Sequence, residues 1–154
     1  MSKLISIIAP CFNEKGNIQA FYDKIKNIFN NKLHEYEYEI IVVDDYSKDG
    51  SVEILEKIAE IDNNFKVIFN SRNYGVHIST FNAIKYAKGD ALIPMLPVDM
   101  QDTPELIVDF IRKWEEGFDI VYGIKKKREE SFFLVTLRNF YYRLVTKISN
   151  EKIP

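Results

Sequence analysis

Short apolar runs alternate along this chain with stretches whose apolar residues recur every three or four positions. Residues 4–9, rich in isoleucine and stopped by Pro10, predict a buried first strand. Ile18, Phe21, Tyr22, Ile25, Ile28 and Phe29 then fall at helical spacing. Asn13 stands where it could cap that helix, with Glu14 at its positive end. A second apolar run, residues 38–43, ends abruptly in Asp44 and Asp45. Val52, Ile54, Leu55, Ile58, Ala59 and Ile61 predict the face of a second helix beginning near Asp49. Residues 65–69 predict a third strand and residues 78–87 a third helix closed by Lys88-Gly89. Residues 91–96 read as a fourth strand, in which Pro94 removes a ladder donor. Thr103 and Pro104 open a helix carrying Leu106, Ile107, Phe110, Ile111 and Trp114, which Gly117 ends. Residues 118–122 predict a fifth strand. After the basic run 125–128, residues 131–149 predict one amphipathic helix with Phe133, Leu137, Phe140, Tyr141, Leu144 and Ile148 on one stripe.

Strands alternating with helices imply a three-layer α/β/α domain with a mostly parallel sheet and right-handed crossovers. Every strand then ends on the same edge, where ligands of open α/β sheets bind. That edge gathers Asn13 and Glu14, Asp44 and Asp45, Arg72 and Asn73, then Asp99, Gln101 and Asp102. Neighbouring carboxylates repel, so Asp44 and Asp45 call for a cation or a set of donors beside them. The alternative is that both are solvated and that Asp44 or Ser47 caps the next helix. Several carboxylates with one guanidinium suit a divalent cation and a phosphorylated ligand. Mg²⁺ takes one or two carboxylates and fills its shell with phosphate oxygens and water, and Arg72 can meet a phosphate bidentately. The chain has no Gly-x-Gly-x-x-Gly after its first strand and no P-loop, which counts against a dinucleotide-dependent dehydrogenase and a P-loop ATPase.

Composition narrows the class. The 154 residues make one ordinary domain, 1–154, and 46% apolar with 29% charged residues is a globular balance. A net charge of −2 gives no global attraction to nucleic acid. Cys11 is the single cysteine, which excludes an internal disulfide and suits a reducing, cytoplasmic setting. The two histidines, His34 and His77, lie far apart without metal-ligand spacing. The N-terminus does not read as a signal peptide, and no apolar run is long enough to cross a bilayer.

Four stretches carry a family resemblance: Ile8-Ala9-Pro10-Cys11-Phe12-Asn13-Glu14, Val42-Val43-Asp44-Asp45-Tyr46-Ser47-Lys48-Asp49-Gly50, Ser71-Arg72-Asn73-Tyr74-Gly75 and Asp99-Met100-Gln101-Asp102-Thr103-Pro104-Glu105-Leu106. Together, in this order, the chain resembles a family 2 glycosyltransferase with the GT-A fold. It is most similar to the polyprenyl-phosphate branch, which includes dolichol-phosphate mannose synthases and bacterial undecaprenyl-phosphate glycosyltransferases. The resemblance implies inverting transfer from a UDP- or GDP-sugar, in cell-envelope or surface-glycan biosynthesis, to an acceptor such as a polyprenyl phosphate. By the same resemblance Pro10, Asn13, Glu14, Asp44 and Asp45 line a base and ribose pocket, and Arg72, with Asn73 beside it, lies near the nucleotide. Asp99 matches the second aspartate of Asp-x-Asp, and Gln101 a residue that helps hold Mg²⁺ or Mn²⁺. Pro97 stands where the first aspartate would be, removing one metal or ribose contact. Asp102 is a catalytic candidate by position, beside Asp99.

The family continues beyond the point where this chain stops. That implies a truncated domain, with much of the acceptor site, a further acidic motif and transmembrane helices lying in the remainder. The stripe within 131–149 would then lie on the cytoplasmic face of the membrane, or pack on the sheet or on another copy of the chain. Two other readings stand beside transfer. One is a nucleotide-sugar-binding fragment without turnover. The other is a receiver-like, metal-dependent phosphoacceptor domain, in which the aspartate pair, Asp99 and Lys125 would be the working groups.

Overall fold

β-branched residues lose freedom in a helix and pack well on a pleated surface, and the strands here are built largely from them. The computed structural model describes residues 2–124. It contains β1 (Leu4–Cys11), β2 (Glu37–Asp44), β3 (Phe65–Phe69) and β4 (Ala91–Ile93), with α1 (Ile18–Lys32), α2 (Ser51–Ile61), α3 (Val76–Ile84) and α4 (Leu106–Glu115) between and after them. These elements all belong to one compact unit, Met1–Val121. The strands form a single parallel sheet in the order β3-β2-β1-β4.

Alternation along the two central strands makes the layers. Ile5, Ile7, Ala9, Ile40 and Val42 pack with Ile18, Phe21 and Ile25 of α1, Leu55 and Ile58 of α2, and Ile107 and Ile111 of α4. Ile8, Ile41 and Val43 turn the other way, onto Ala83 of α3. Each fully buried aliphatic side chain contributes about 1.5–3 kcal/mol, so β1 and β2 anchor whatever their ends carry. Register aligns those ends: Asp44 is paired with Cys11 on one side and Phe69 on the other.

Pro10 does not stop β1. Its carbonyl accepts the Val98 N–H at 3.3 Å, and the strand runs on to Cys11. Pro94 does shorten β4, which ends at Ile93. The chain beyond it still follows β1, because the Leu96 N–H reaches the Ile8 carbonyl at 2.9 Å. At the opposite edge of the sheet, the 3% exposed Glu39 holds the α3–β4 turn. It accepts Ser6 Oγ at 2.6 Å and the Lys88 N–H at 2.7 Å, and pairs with Lys66. Ser6 Oγ in turn accepts the Gly89 N–H at 2.8 Å. Burial pushes the Glu39 carboxyl up, but Lys66 and the Ser6 and Lys88 donors outweigh it and hold it below the ordinary range.

Several expectations change. Asn13 does not cap α1, which begins at Ile18 behind Asn17; Asn13 has φ +56 and its side chain accepts the Lys48 N–H instead. α2 begins at Ser51, and Ile61 at its end is 80% exposed. α3 starts two residues before the predicted 78 and ends three before the predicted 87. Thr103 and Pro104 form a turn ahead of α4, their carbonyls accepting from Leu106 and Ile107. Residues 118–122 are not a strand, because no ladder partner lies beside them among the described residues, and Ile120 is 81% exposed. The basic run 125–128 and the stripe within 131–149 lie outside the described residues.

Candidate functional site

The loops after β1 and β2 are stitched together by their own polar groups. Asn13 N–H donates to Ser47 Oγ at 2.8 Å, Glu14 N–H to Ser51 Oγ at 3.0 Å and Lys15 N–H to Asp49 Oδ2 at 3.0 Å. The Lys48 N–H returns to Asn13 Oδ1 at 2.8 Å. Asn13 is thus a tie between two loops. Asparagine tolerates the left-handed backbone this geometry requires.

The adjacent aspartates part company because consecutive strand residues point to opposite faces. Asp44 follows Val42 toward the α1 and α2 layer and is 1% exposed. Its Oδ2 accepts the Ser47 N–H at 3.0 Å, while its buried Oδ1 has no hydrogen-bond partner among the described residues. Asp45 follows Val43 toward α3 and is 4% exposed. Its Oδ1 accepts Asn70 Nδ2, the Tyr74 N–H and Ser79 Oγ, each at 2.9 Å, and its Oδ2 accepts the Gly75 N–H at 2.8 Å. Burial pushes this carboxyl up, but those donors outweigh it and hold it below the ordinary aspartate range. Donors therefore answer the charge of Asp45. The two carboxylates do not form a joint metal site, which removes the basis of the receiver-like alternative.

Between these loops and the segment after β4 lies a cavity of about 240 Å³. Of the predicted residues, Pro10, Glu14, Asp45, Asn73 and Asp99 line it. Asn13, Asp44, Arg72, Gln101 and Asp102 do not. Arg72 lies over the Tyr74 ring, 4.7 Å from its centroid, and Glu14 Oε2 accepts Asn17 Nδ2 at 2.6 Å. Asp99 is half-buried, and its Oδ1 accepts the Gln101 N–H at 3.1 Å. No three His, Cys, Asp or Glu side chains among the described residues converge on a metal position. A donor set this sparse fits an ion that takes one carboxylate and completes its shell with phosphate oxygens and water. It does not fit a self-sufficient protein cage.

Sequence reasoning missed several contributors. Phe12 and Ser79 line the cavity, beside Pro97, and Asn70 supplies one of the donors to Asp45. Ser79 is a hydroxyl on the buried side of α3, beside Thr80 and Ala83. Among the described residues, the three non-glycine ones with positive φ, Asn13 (+56), Tyr46 (+71) and Met100 (+55), all fall in loops at this one edge. Nothing in the residue pattern announced that. Cys11 also lines the cavity, and burial, with Asp44 and Glu14 nearby, pushes its thiol up to about 12.

Known proteins resemble this chain. The chain is 37% identical over 150 residues to the uncharacterized glycosyltransferase YkcC of Bacillus subtilis (strain 168), which covers 97% of this chain and 46% of that protein. It is 33% identical over 150 residues to the undecaprenyl-phosphate 4-deoxy-4-formamido-L-arabinose transferase of Proteus mirabilis (strain HI4320), covering 97% of this chain and 45% of that one. The chain therefore spans about half the length of these relatives. Among solved structures, a mannosyltransferase of Pyrobaculum calidifontis in complex with GDP-Man and Mn²⁺ superposes with a TM-score of 0.57 at 19% identity, covering 73% of this chain and 32% of that one. That likeness bears on the fold, the parallel α/β sheet of the GT-A glycosyltransferases. The model of the family described as "Glycosyl transferase family 2" matches residues 6–153, from the third residue of β1 through all the loops described above, and the chain belongs to that family.

Proposed function

We propose that this chain is the donor-binding part of an inverting glycosyltransferase, which moves a sugar from a UDP- or GDP-sugar to a polyprenyl phosphate in cell-envelope or surface-glycan biosynthesis. The observation that carries this reading is the single cavity bordered by Pro10, Glu14, Asp45, Asn73 and Asp99 at the carboxyl edge of the sheet. The activity for which the Proteus mirabilis relative is named supports the acceptor class. Domain 1–154 is then one part of a longer enzyme at the cytoplasmic face of the membrane, with 131–149 available for surface or copy-to-copy contact.

The position of each residue supports a role for it in this reading. Pro10 and Glu14 border the base and ribose, while Asn13 and Asp44 hold the surrounding loops in shape behind them. Asp45 fixes the loop that carries Arg72 and Asn73, and Arg72 swings from Tyr74 to a phosphate. Asp99, with the Gln101 side chain, would hold a divalent ion, whose chemistry is to neutralise the charge that develops on the leaving diphosphate. Asp102, three residues beyond Asp99, stands as a catalytic candidate by position. A second reading is donor binding without turnover.

A thermal-shift panel tests both. UDP, GDP and their sugar conjugates are each added with Mg²⁺, with Mn²⁺ and with EDTA, and a ligand that binds the native state must raise the midpoint. We expect a rise with at least one nucleotide that shrinks with EDTA and in Asp99→Asn. No rise with any of them rejects the reading. A rise without transfer to a polyprenyl phosphate selects the second.

A further inference from the structure

The turn after β2 needs a left-handed residue at position 46. Asp45 N–H is held by the Cys11 carbonyl at 2.9 Å, Ser47 N–H by Asp44 Oδ2 at 3.0 Å, and Ser47 Oγ accepts the Asn13 N–H at 2.8 Å. The chain must reverse tightly between those anchors, and it does so with φ +71 at Tyr46. Glycine adopts that conformation freely, whereas a residue with a Cβ and a large ring is strained there. Tyr46 does not recover the strain by burial. It is 44% exposed, and the aromatic pairs among the described residues do not include it. Instead, Lys48 Nζ sits 3.5 Å from the centroid of its ring. A strained residue that persists beside a site argues that its side chain is in use.

Its position suggests the use. β2 stands two strands from β4 in the sheet. At a strand spacing of ~4.8 Å, about 10 Å separates the strand leading to Tyr46 from the one leading to Asp99. With a diphosphate at Asp99, a nucleotide laid along the carboxyl edge of the sheet across β1 would bring its far end, a flat heteroaromatic base, to β2. Tyr46 follows Asp45, which lines the cavity, without lining it itself; Phe12, on the adjacent loop, is exposed and does line it. An aromatic face accepts any base by stacking. We infer that Tyr46, held by Lys48 over one ring face, is a stacking platform for the base of the nucleoside diphosphate, and that the strained turn is kept for the sake of that ring. This rests on the donor-binding reading above.

Replacing the ring should move stability and binding in opposite directions. In the full 154-residue chain, Tyr46→Gly relieves the backbone strain and raises the apo unfolding midpoint by a few degrees. The same variant weakens UDP or GDP binding, whichever the wild type prefers, by roughly tenfold or more. Binding of inorganic pyrophosphate, which has no base, stays unchanged, and Tyr46→Phe binds nucleotide like wild type. Tyr46→Asn, which tolerates the backbone but lacks the ring, should match Tyr46→Gly in binding. Wild type that binds nucleotide while both ring-less variants bind it equally well overturns this inference and leaves donor binding standing. Wild type that binds no nucleoside diphosphate overturns both together.

Discussion

Asp45 ties the loop after β3 and the start of α3 to the end of β2 through donors from Asn70, Tyr74, Gly75 and Ser79. Hydrogen bonds to a charged acceptor are worth about 1.5–3 kcal/mol each and are not additive within one network. Asp45→Ala should therefore cost roughly 3 kcal/mol in urea unfolding, with a loss of nucleotide affinity as the Arg72–Asn73 loop loosens. Asp44→Ala should also destabilise, by about 1–2 kcal/mol, since it strips the Ser47 N–H of its acceptor. A strand-end carboxylate looks like a surface group from sequence, yet Asp44 is inside. The pH dependence of Asp45 has a definite sign. Its folded pKa is depressed below the ordinary 3.8, so its contribution is complete above that value and drains away as pH falls through the lower folded pKa. Midpoints of wild type and Asp45→Asn measured from pH 6 downward should converge below about pH 4.

At the scale of elements, the periodicities of α1 and of β1 to β3 were legible because burial on one or two faces writes a repeat into the residues. The buried set of α1 is the predicted one, and β3 covers the predicted 65–69. What was not legible depended on partners distant in sequence. Residues 118–122 have strand-like composition but no neighbour to pair with among the described residues. The cavity was foreseeable as a set of loops on one edge, but not the division of Asp44 from Asp45 or the departure of Arg72 onto Tyr74. Those follow from strand phase and loop hydrogen bonding, which composition does not encode. The Glu39 clamp was equally invisible, and it supplies an element-level test. A Cβ on Gly89 would lie 2.6 Å from Ser6 Oγ and 2.7 Å from Ser6 N. Gly89→Ala should cost about 1–3 kcal/mol, as an overpacked core position does. It should also loosen β4 and the segment toward Asp99, seen as faster hydrogen exchange at Leu96 and Val98.

At the largest scale described, the sheet, covered on both faces, stands under a rim made of strand ends, loops and the start of α3, and a ligand that binds there stabilises the folded form that holds them together. Cys11 turns that coupling into something countable. It is the single cysteine of the chain, 2% exposed, on the floor of the cavity, with a thiol pushed up to about 12. Almost none of it is thiolate at neutral pH, and the thiolate is the species that reacts. While Cys11 stays buried, then, an alkylating reagent has neither access nor a nucleophile, and labelling reports the fraction of time its cover is open. The molecule carries its own clock for crevice opening, with one tick per chain. Alkylation followed by mass spectrometry should be slow in wild type, slower with bound nucleotide and faster in Asp45→Ala. A rate indifferent to both would mean that the floor is reached by some route other than the rim.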